Sequence, residues 1–366
     1  MISSDTLKTL KRTFNTQYTE RNNMKAAVQT ASTIIPIMLT WYFAVKTAAL
    51  SYFVSSIFVL LLGLLLLRAF VLMHECGHGS LFKNPAYNRG VGFLLGVLVG
   101  MPQYVWSKHH AYHHATNGNW SLYRGPLSTL STEEFSKLSW VQQRIYCYAR
   151  NIIFAPVGGF IYLIFNPRYT WLAGSGSLFI HILKQKIRDP HQPLQGLIDN
   201  YKTPYWATSK EYWAMCWNNA VLLSLWVMMI AWIGAATFFT IYCMSAALAG
   251  AGGLILFTVQ HNFEHAYASA DAQWDYDLAA VEGSSYLVLP QLLNWFTADI
   301  AYHHIHHLNA IIPNYNLARC HAENEAHFRA VPRIHFTEIL FQLKHILWDK
   351  DNRRIISWRE YQQQKG

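Results

Sequence analysis

The chain is organised by long runs of uncharged residues. Ala26 to Val45 and Thr47 to Leu67 carry no charged side chain, and Lys46 alone separates them. Each run is about the 20 residues a helix needs to cross the hydrocarbon core of a bilayer. The second run stays apolar beyond Arg68, as far as Met73. Tyr212 to Gln260 adds a further 49 residues without a charge, enough for two crossings joined by a tight turn near Gly234 to Thr240. The pattern predicts two transmembrane hairpins, at 26–73 and 212–260.

Shorter apolar stretches fall between them. Gly90 to Ser107 contains Pro102 and the ladder Gly92, Gly96, Gly100, and Asn151 to Pro167 is broken by Pro156, Gly158 and Gly159. Both are read as re-entrant or interfacial segments, since small residues at four-residue spacing suit close packing against a neighbouring helix. Asp189 to Asn200, with two prolines and a glycine, reads as a loop. Thr337 to Trp348 carries Ile339, Leu340, Leu343, Ile346 and Leu347 at helical spacing and predicts an amphipathic helix in the tail.

Composition agrees with a membrane protein. Of 366 residues, 52% are hydrophobic and only 13% charged, where soluble domains carry about a quarter. The 14 Trp and 21 Tyr fit the aromatic belts of membrane proteins. A net charge of +9 without an Arg/Lys-rich run interleaved with aromatics argues against a nucleic-acid partner and for a cytoplasmic membrane face. Lys46 is the only Lys or Arg in either outer loop, so the arm 1–25, the middle segment 74–211 and the tail 261–366 are expected in the cytosol. The first 25 residues contain no apolar run for a signal peptidase, which places the N-terminus there too. Cys76, Cys147, Cys216, Cys243 and Cys320 are odd in number and form no C-x-x-C pair, so reduced thiols are expected.

The chemistry lies in the histidines. Of 18, 12 fall in four clusters: His74 and His78 in "HECGH"; His109, His110, His113 and His114 in "HHAYHH"; His261 and His265 in "QHNFEH"; and His303, His304, His306 and His307 in "HHIHH". Taken alone, "HECGH" matches the H-E-x-x-H pattern of zinc proteases. The two H-x-x-H-H runs change that reading. Positions i, i+3 and i+4 share a helix face, so His110, His113, His114 and His303, His306, His307 can each aim three imidazoles at one point. Clusters one and three follow the cytosolic ends of spans two and four, which delivers them to one side. The ligand count suffices for two metals, and neutral ligands without a bridging carboxylate point to redox chemistry with O2 rather than hydrolysis. His109 and His304 fall off the shared faces, while His181, His191, His321, His327, His335 and His345 stand singly and read as surface or interfacial residues.

"HECGH", "HHAYHH" and "HHIHH", in this order and at these intervals, resemble the three histidine boxes of the membrane fatty acid desaturases. "VQHNFEHAY" resembles the histidine element before the third box, and "FTADIAYHHIHHLNAIIPNYNL" resembles the bacterial and cyanobacterial acyl-lipid branch. The resemblance runs from about Leu66 to Ala322. It implies an all-α integral membrane protein with four transmembrane helices, and a cytosolic helical cap holding a non-haem diiron centre. The implied iron ligands are His74, His78, His110, His113, His114, His261, His303, His306 and His307, with His265 as a further candidate.

By the same resemblance, the centre uses O2 to remove two hydrogens from adjacent methylenes of a lipid-linked acyl chain in the bilayer. The two electrons come from a separate donor of ferredoxin or cytochrome b5 type, since no fused cytochrome signature is present. Lys344, Lys350, Arg353, Arg354 and Arg359 are candidates for docking it or for meeting anionic head groups. Glu75, Asn117, Glu264, Asp299 and Asn294 are candidates to orient imidazoles through their second nitrogen. Trp106, Trp120, Trp295, Phe296 and Tyr302 are candidates for the wall of an acyl tunnel. The alternatives are a diiron hydroxylase or ketolase of the alkane or carotenoid type, an intramembrane zinc protease, and a non-catalytic metal-binding membrane protein. A bacterial cytoplasmic membrane is the expected location.

Overall fold

A computed structural model describes residues 3–125, 127–269 and 271–365, so the first two residues of the expected N-terminal arm and the last of the tail lie outside it. Helix α1 (Ser4–Gln17) precedes the first hairpin, α2 (Asn23–Ala48) and α3 (Tyr52–His78). Next come α4 (Pro85–Val99), α5 (Gln103–Thr116), α6 (Ala155–Phe160) and α7 (Asn166–Arg188). The second hairpin, α8 (Ser209–Ile233) and α9 (Ala235–His261), is followed by the short α10 (His303–Leu308).

Among the described residues, five helical stretches are long and apolar enough to cross a membrane, the four hairpin helices and the run Ile152–Arg188, and the bent pair α4–α5 would be a sixth if taken as one span. Large apolar side chains such as Leu39, Phe43, Leu60, Val227 and Trp232 stand exposed on the hairpins, as lipid-facing positions do. Helices α4 and α5 meet at 99°. The break follows from Gly100, whose φ of 78° ends α4 in the left-handed conformation, and from Pro102, which begins α5.

Helix α3 is the centre of the bundle. Its inner face buries Leu62, Leu65, Leu66 and Leu72 against residues of α2, α4 and α9. Helix α6 crosses α9 so closely that a Cβ added to Gly159 would collide with the backbone of Gly250 and Ala251. The cap is held from the N-terminal side, where Leu7, Leu10 and Phe14 of α1 pack with Ile305, Leu308 and Phe328.

The fold is mostly helical but not all-α as expected. Strands β1 (Leu130–Ser131), β4 (His345–Asp349) and β5 (Arg354–Ser357) form one sheet in the order β1-β4-β5. Strands β2 (Tyr286–Val288) and β3 (Arg333–His335) form a parallel pair. The expected tail helix, Thr337 to Trp348, is likewise corrected: only Ile339–Gln342 is α-helical, and β4 begins at His345. All five β4 residues are buried, on both faces of the strand, so the apolar run serves a sheet rather than one helix stripe. The expected loop 189–200 contains a helical turn and a half at Leu194–Asp199.

Replacing Gly159 with valine is expected to destabilise the protein by about 1–3 kcal/mol or more, because neither backbone at the crossing has room to yield. Thermal unfolding in detergent checks this. Gly176→Ala, at a site where a Cβ meets no atom within 4 Å, should leave the midpoint unchanged or raised.

Candidate metal centre and acyl cavity

The C-terminal turn of α3 carries box one because the helix stops just beyond it. Gly79 takes a φ of 68°, its N–H bonds to the Cys76 carbonyl, and Ser80 N–H bonds to that of Glu75. A residue without a Cβ adopts this conformation without steric cost. His74 and His78 stay in regular helix, one turn apart, as do His110 and His114 on α5 and His303 and His307 on α10.

Nine imidazoles converge in two groups. His74, His78, His110, His114 and His306 form one, and His113, His261, His303 and His307 form the other; within each group, the ring nitrogens that could hold a metal lie within 4.8 Å of one another. In the first, Nε2 to Nε2 separations are 2.8 Å for His74 and His110, 3.2 Å for His78 and His74, 2.9 Å for His114 and His110, and 3.1 Å for His306 and His114. In the second they are 2.9 Å for His303 and His261 and 3.2 Å for His113 and His307. With metal–nitrogen bonds of about 2.1 Å, neighbouring ligands stand roughly 3.0 Å apart in an octahedron and roughly 3.4 Å apart in a tetrahedron. The short edges and the fivefold group therefore suit a metal of high coordination number better than a four-coordinate zinc.

Each H-x-x-H-H box is divided between the two groups, rather than aimed whole at one point. On α5, His110 and His114 join the first group and His113 the second; on α10, His303 and His307 join the second and His306 the first. The two groups touch where His114 stacks on His307, with ring centroids 4.2 Å apart. Burial, reinforced by the neighbouring imidazoles, holds His303, His306 and His307 well below the ordinary histidine pKa. They are neutral at physiological pH and present lone pairs, as metal ligands must.

His265 is not brought into either group. Helix α9 ends at His261, so the four-residue spacing no longer means a shared face. The His265 side chain is 75% exposed and lies 3.9 Å from Glu264. Glu264 itself pairs with Arg354 at 2.7 Å instead of with a buried imidazole. Asp299 sits in the field of Arg68, and burial raises its carboxyl to about 6 against that opposing charge. Asn294 contributes its backbone carbonyl, which accepts from Asp299 N–H and the Thr297 hydroxyl.

Two candidates do reach the imidazoles. Glu75, fully buried, places Oε1 3.1 Å from His74 Nδ1 and 3.9 Å from His306 Nδ1. Its other oxygen accepts from the Ser80 hydroxyl at 2.8 Å and from Asn314 N–H at 3.1 Å. Asn117 acts through the backbone: its amide donates to the Gly283 carbonyl, the oxygen that also lies 3.0 Å from His261 Nδ1. Gly283 carries no sequence signal for this role. His304, between two of the grouped histidines, turns away, and its Nε2 lies 3.1 Å from His321 Nδ1 in a separate buried pair. His321 and His345 are buried, not surface residues.

A cavity of about 550 Å³ opens beside the imidazoles, lined at that end by His74, His110, His113 and His303. Its walls are mainly apolar: Leu67, Phe70 and Val71 of α3, Leu254 and Phe257 of α9, and Ile161, Tyr162 and Leu163. Of the five expected tunnel residues, Trp106 alone lines it. Trp106 stacks on His110 with centroids 4.5 Å apart, and its indole N–H donates to the Tyr162 hydroxyl at 2.8 Å. Tyr162 sits in a π-helical turn, Ile161–Phe165, a distortion common at functional sites. Trp120 packs at a tilt against Trp348, Trp295 lies under the Arg68 guanidinium, Phe296 belongs to the bundle core, and Tyr302 stacks on Tyr286. His109 is exposed at the cavity rim. Tyr123 and Phe257, whose rings approach His113 to 4.8 and 4.9 Å, escaped notice because neither sits inside a box.

Known proteins resemble this chain in sequence. The family model described as fatty acid desaturase matches residues 50–337. A fatty acid desaturase of Bacillus subtilis (strain 168) is 31% identical over 343 residues, covering 93% of this chain and 88% of the relative. An sn-1 acyl-lipid omega-3 desaturase (ferredoxin) of Synechocystis is 28% identical over 111 residues, 30% of this chain and 31% of the relative. An endoplasmic reticulum omega-3 fatty acid desaturase of Nicotiana tabacum is 26% identical over 272 residues, 70% of this chain and 60% of the relative. With a match across 288 residues and a relative alike over nearly its whole length, the chain belongs to the fatty acid desaturase family.

Proposed function

We propose that this protein is an O2-dependent desaturase of lipid-linked acyl chains, and that the nine grouped histidines are the ligands of a diiron centre. The observation that carries the reading is the meeting of two close-packed imidazole groups with an apolar cavity of about 550 Å³. The reaction converts adjacent methylenes, O2, two electrons and two protons into a double bond and two waters. Two irons, when bound, supply the redox chemistry with O2.

The chain's own residues bind and orient. The cavity wall excludes water and holds the acyl chain against the imidazole end, a positioning role that lowers the entropic part of the barrier. Glu75 Oε1 faces the second nitrogens of His74 and His306 at 3.1 and 3.9 Å, so one carboxyl group acts electrostatically on a ring from α3 and on one from α10. The Gly283 carbonyl fixes the His261 ring, and the Trp106 to Tyr162 hydrogen bond keeps an aromatic plane against His110.

The four-span topology follows from parity. Helices α5 and α9 both end at the imidazole groups, so an even number of crossings separates them. The hairpin α8–α9 supplies two, which makes Ile152–Arg188 an interfacial or re-entrant element, the fifth apolar stretch notwithstanding. The histidines, both termini and the cap then face the cytosol of a bacterial cytoplasmic membrane. A separate one-electron donor of ferredoxin or cytochrome b5 type completes the reaction, in keeping with the donor named for the Synechocystis relative. Of the basic residues near the tail, Lys350 pairs with Glu133 and Arg354 with Glu264 and Glu360, which leaves Lys344, Arg353 and Arg359 for such a partner or for anionic head groups.

The test is mass-spectrometric location of double bonds in the fatty acids of a bacterial host expressing the chain. A new unsaturated species is expected with the wild type and none with His306→Ala, whose iron per purified chain should fall from about two atoms to one or none. His265→Ala should keep both product and iron. Product from His306→Ala, or loss of iron in His265→Ala, would overturn the assigned ligand set. Glu75→Gln, isosteric but uncharged, should weaken iron retention against a chelator about 10- to 100-fold, read as metal content at graded chelator concentration.

A further inference from the structure

The cavity has a closed end and an open one. Leu67, Leu163 and Ala249, none more than 6% exposed, close it, while Ala149, Asn151, Ile152 and Phe154 stand exposed where it opens. Along α9 the lining runs from Ala249 to Gln260, about 16 Å at the helical rise of 1.5 Å per residue. The imidazoles lie at the Gln260 level, so the stretch toward Ala249 receives whatever part of an acyl chain extends past them.

Three glycines of α9 stand near this closed end, and two of them are already spoken for. A Cβ on Gly250 would strike the backbone of Gly159, and one on Gly252 would come within 2.9 Å of Leu67. Gly253 differs. It lines the cavity, and a Cβ there meets no atom within 4 Å. Its bare backbone therefore leaves free volume that no packing demand explains, about 12 Å along the helix from His261.

We propose that Gly253 sets the length of acyl chain the enzyme accepts, by leaving open the part of the cavity that takes the methyl end. This rests on the desaturase reading above. Side chains of rising size at this position would shorten the space in steps, and longer chains would lose turnover before shorter ones.

The experiment supplies saturated acyl chains of graded length to a bacterial host expressing the wild type, Gly253→Ala, Gly253→Val or Gly253→Phe, and reads unsaturated products by chain length. The ratio of longest to shortest product should fall about tenfold or more from one variant to the next, since one methylene of misfit in an apolar pocket discriminates by at least that factor. Alanine is the better helix former, so Gly253→Ala folds and tests the idea even if the phenylalanine variant does not accumulate. Active variants with the wild-type chain-length profile would overturn the proposal and leave the desaturase reading standing. A wild type that forms no unsaturated product would remove both.

Discussion

Nine nitrogen lone pairs facing one another across about 3 Å are the constraint on which this structure turns. Without cations between them, such groups would be desolvated and unsatisfied, and protonating them would place like charges side by side in a buried space. The surrounding protein is arranged to hold that arrangement regardless. Ser80 and Asn314 hold one oxygen of Glu75, the other stands against two imidazoles, and the cap is pinned to the bundle by α1. Rigidity of the shell substitutes for attraction among the ligands themselves.

A membrane limits how ligands can be supplied. Backbone in contact with hydrocarbon has to be helical, so a spanning segment can offer polar ligands only near its ends. His74 and His78 close α3 and His261 closes α9. The remaining six come from α5 and α10, one after a sharp bend and the other in the cap. Both apolar hairpins thus serve as posts whose tips carry three of the grouped imidazoles, and the short helices complete the set.

How much of this was legible in the sequence depended on distance along the chain. Hairpins announced themselves through uncharged length, and eight box histidines through helical spacing within six residues. What spacing could not reveal was where a helix stops. His265 follows His261 at a ligand-like interval, yet α9 has already ended. The tail misled for a related reason: Ile339 to Leu347 has a helical period, but β4 pairs with β5 just beyond the next turn and with β1 from a remote part of the chain. Division of each H-x-x-H-H box between two groups was also invisible, because three residues on one face look alike until their partners are in place. The wall of the cavity, drawn from α3, α5, α9 and the π-helical turn, left no local pattern beyond Trp106.

That division makes the two imidazole groups one mechanical body. Helices α5 and α10 each act as an axle with a clasp on one side and a single prong on the other. Rolling α5 to relax the grip of His110 and His114 would swing His113 in its own group, and α10 links the same two groups with the roles reversed. Neither group can be retuned in isolation, so the spacing of the two groups is set by the pitch of an α-helix together with the stack of His114 on His307.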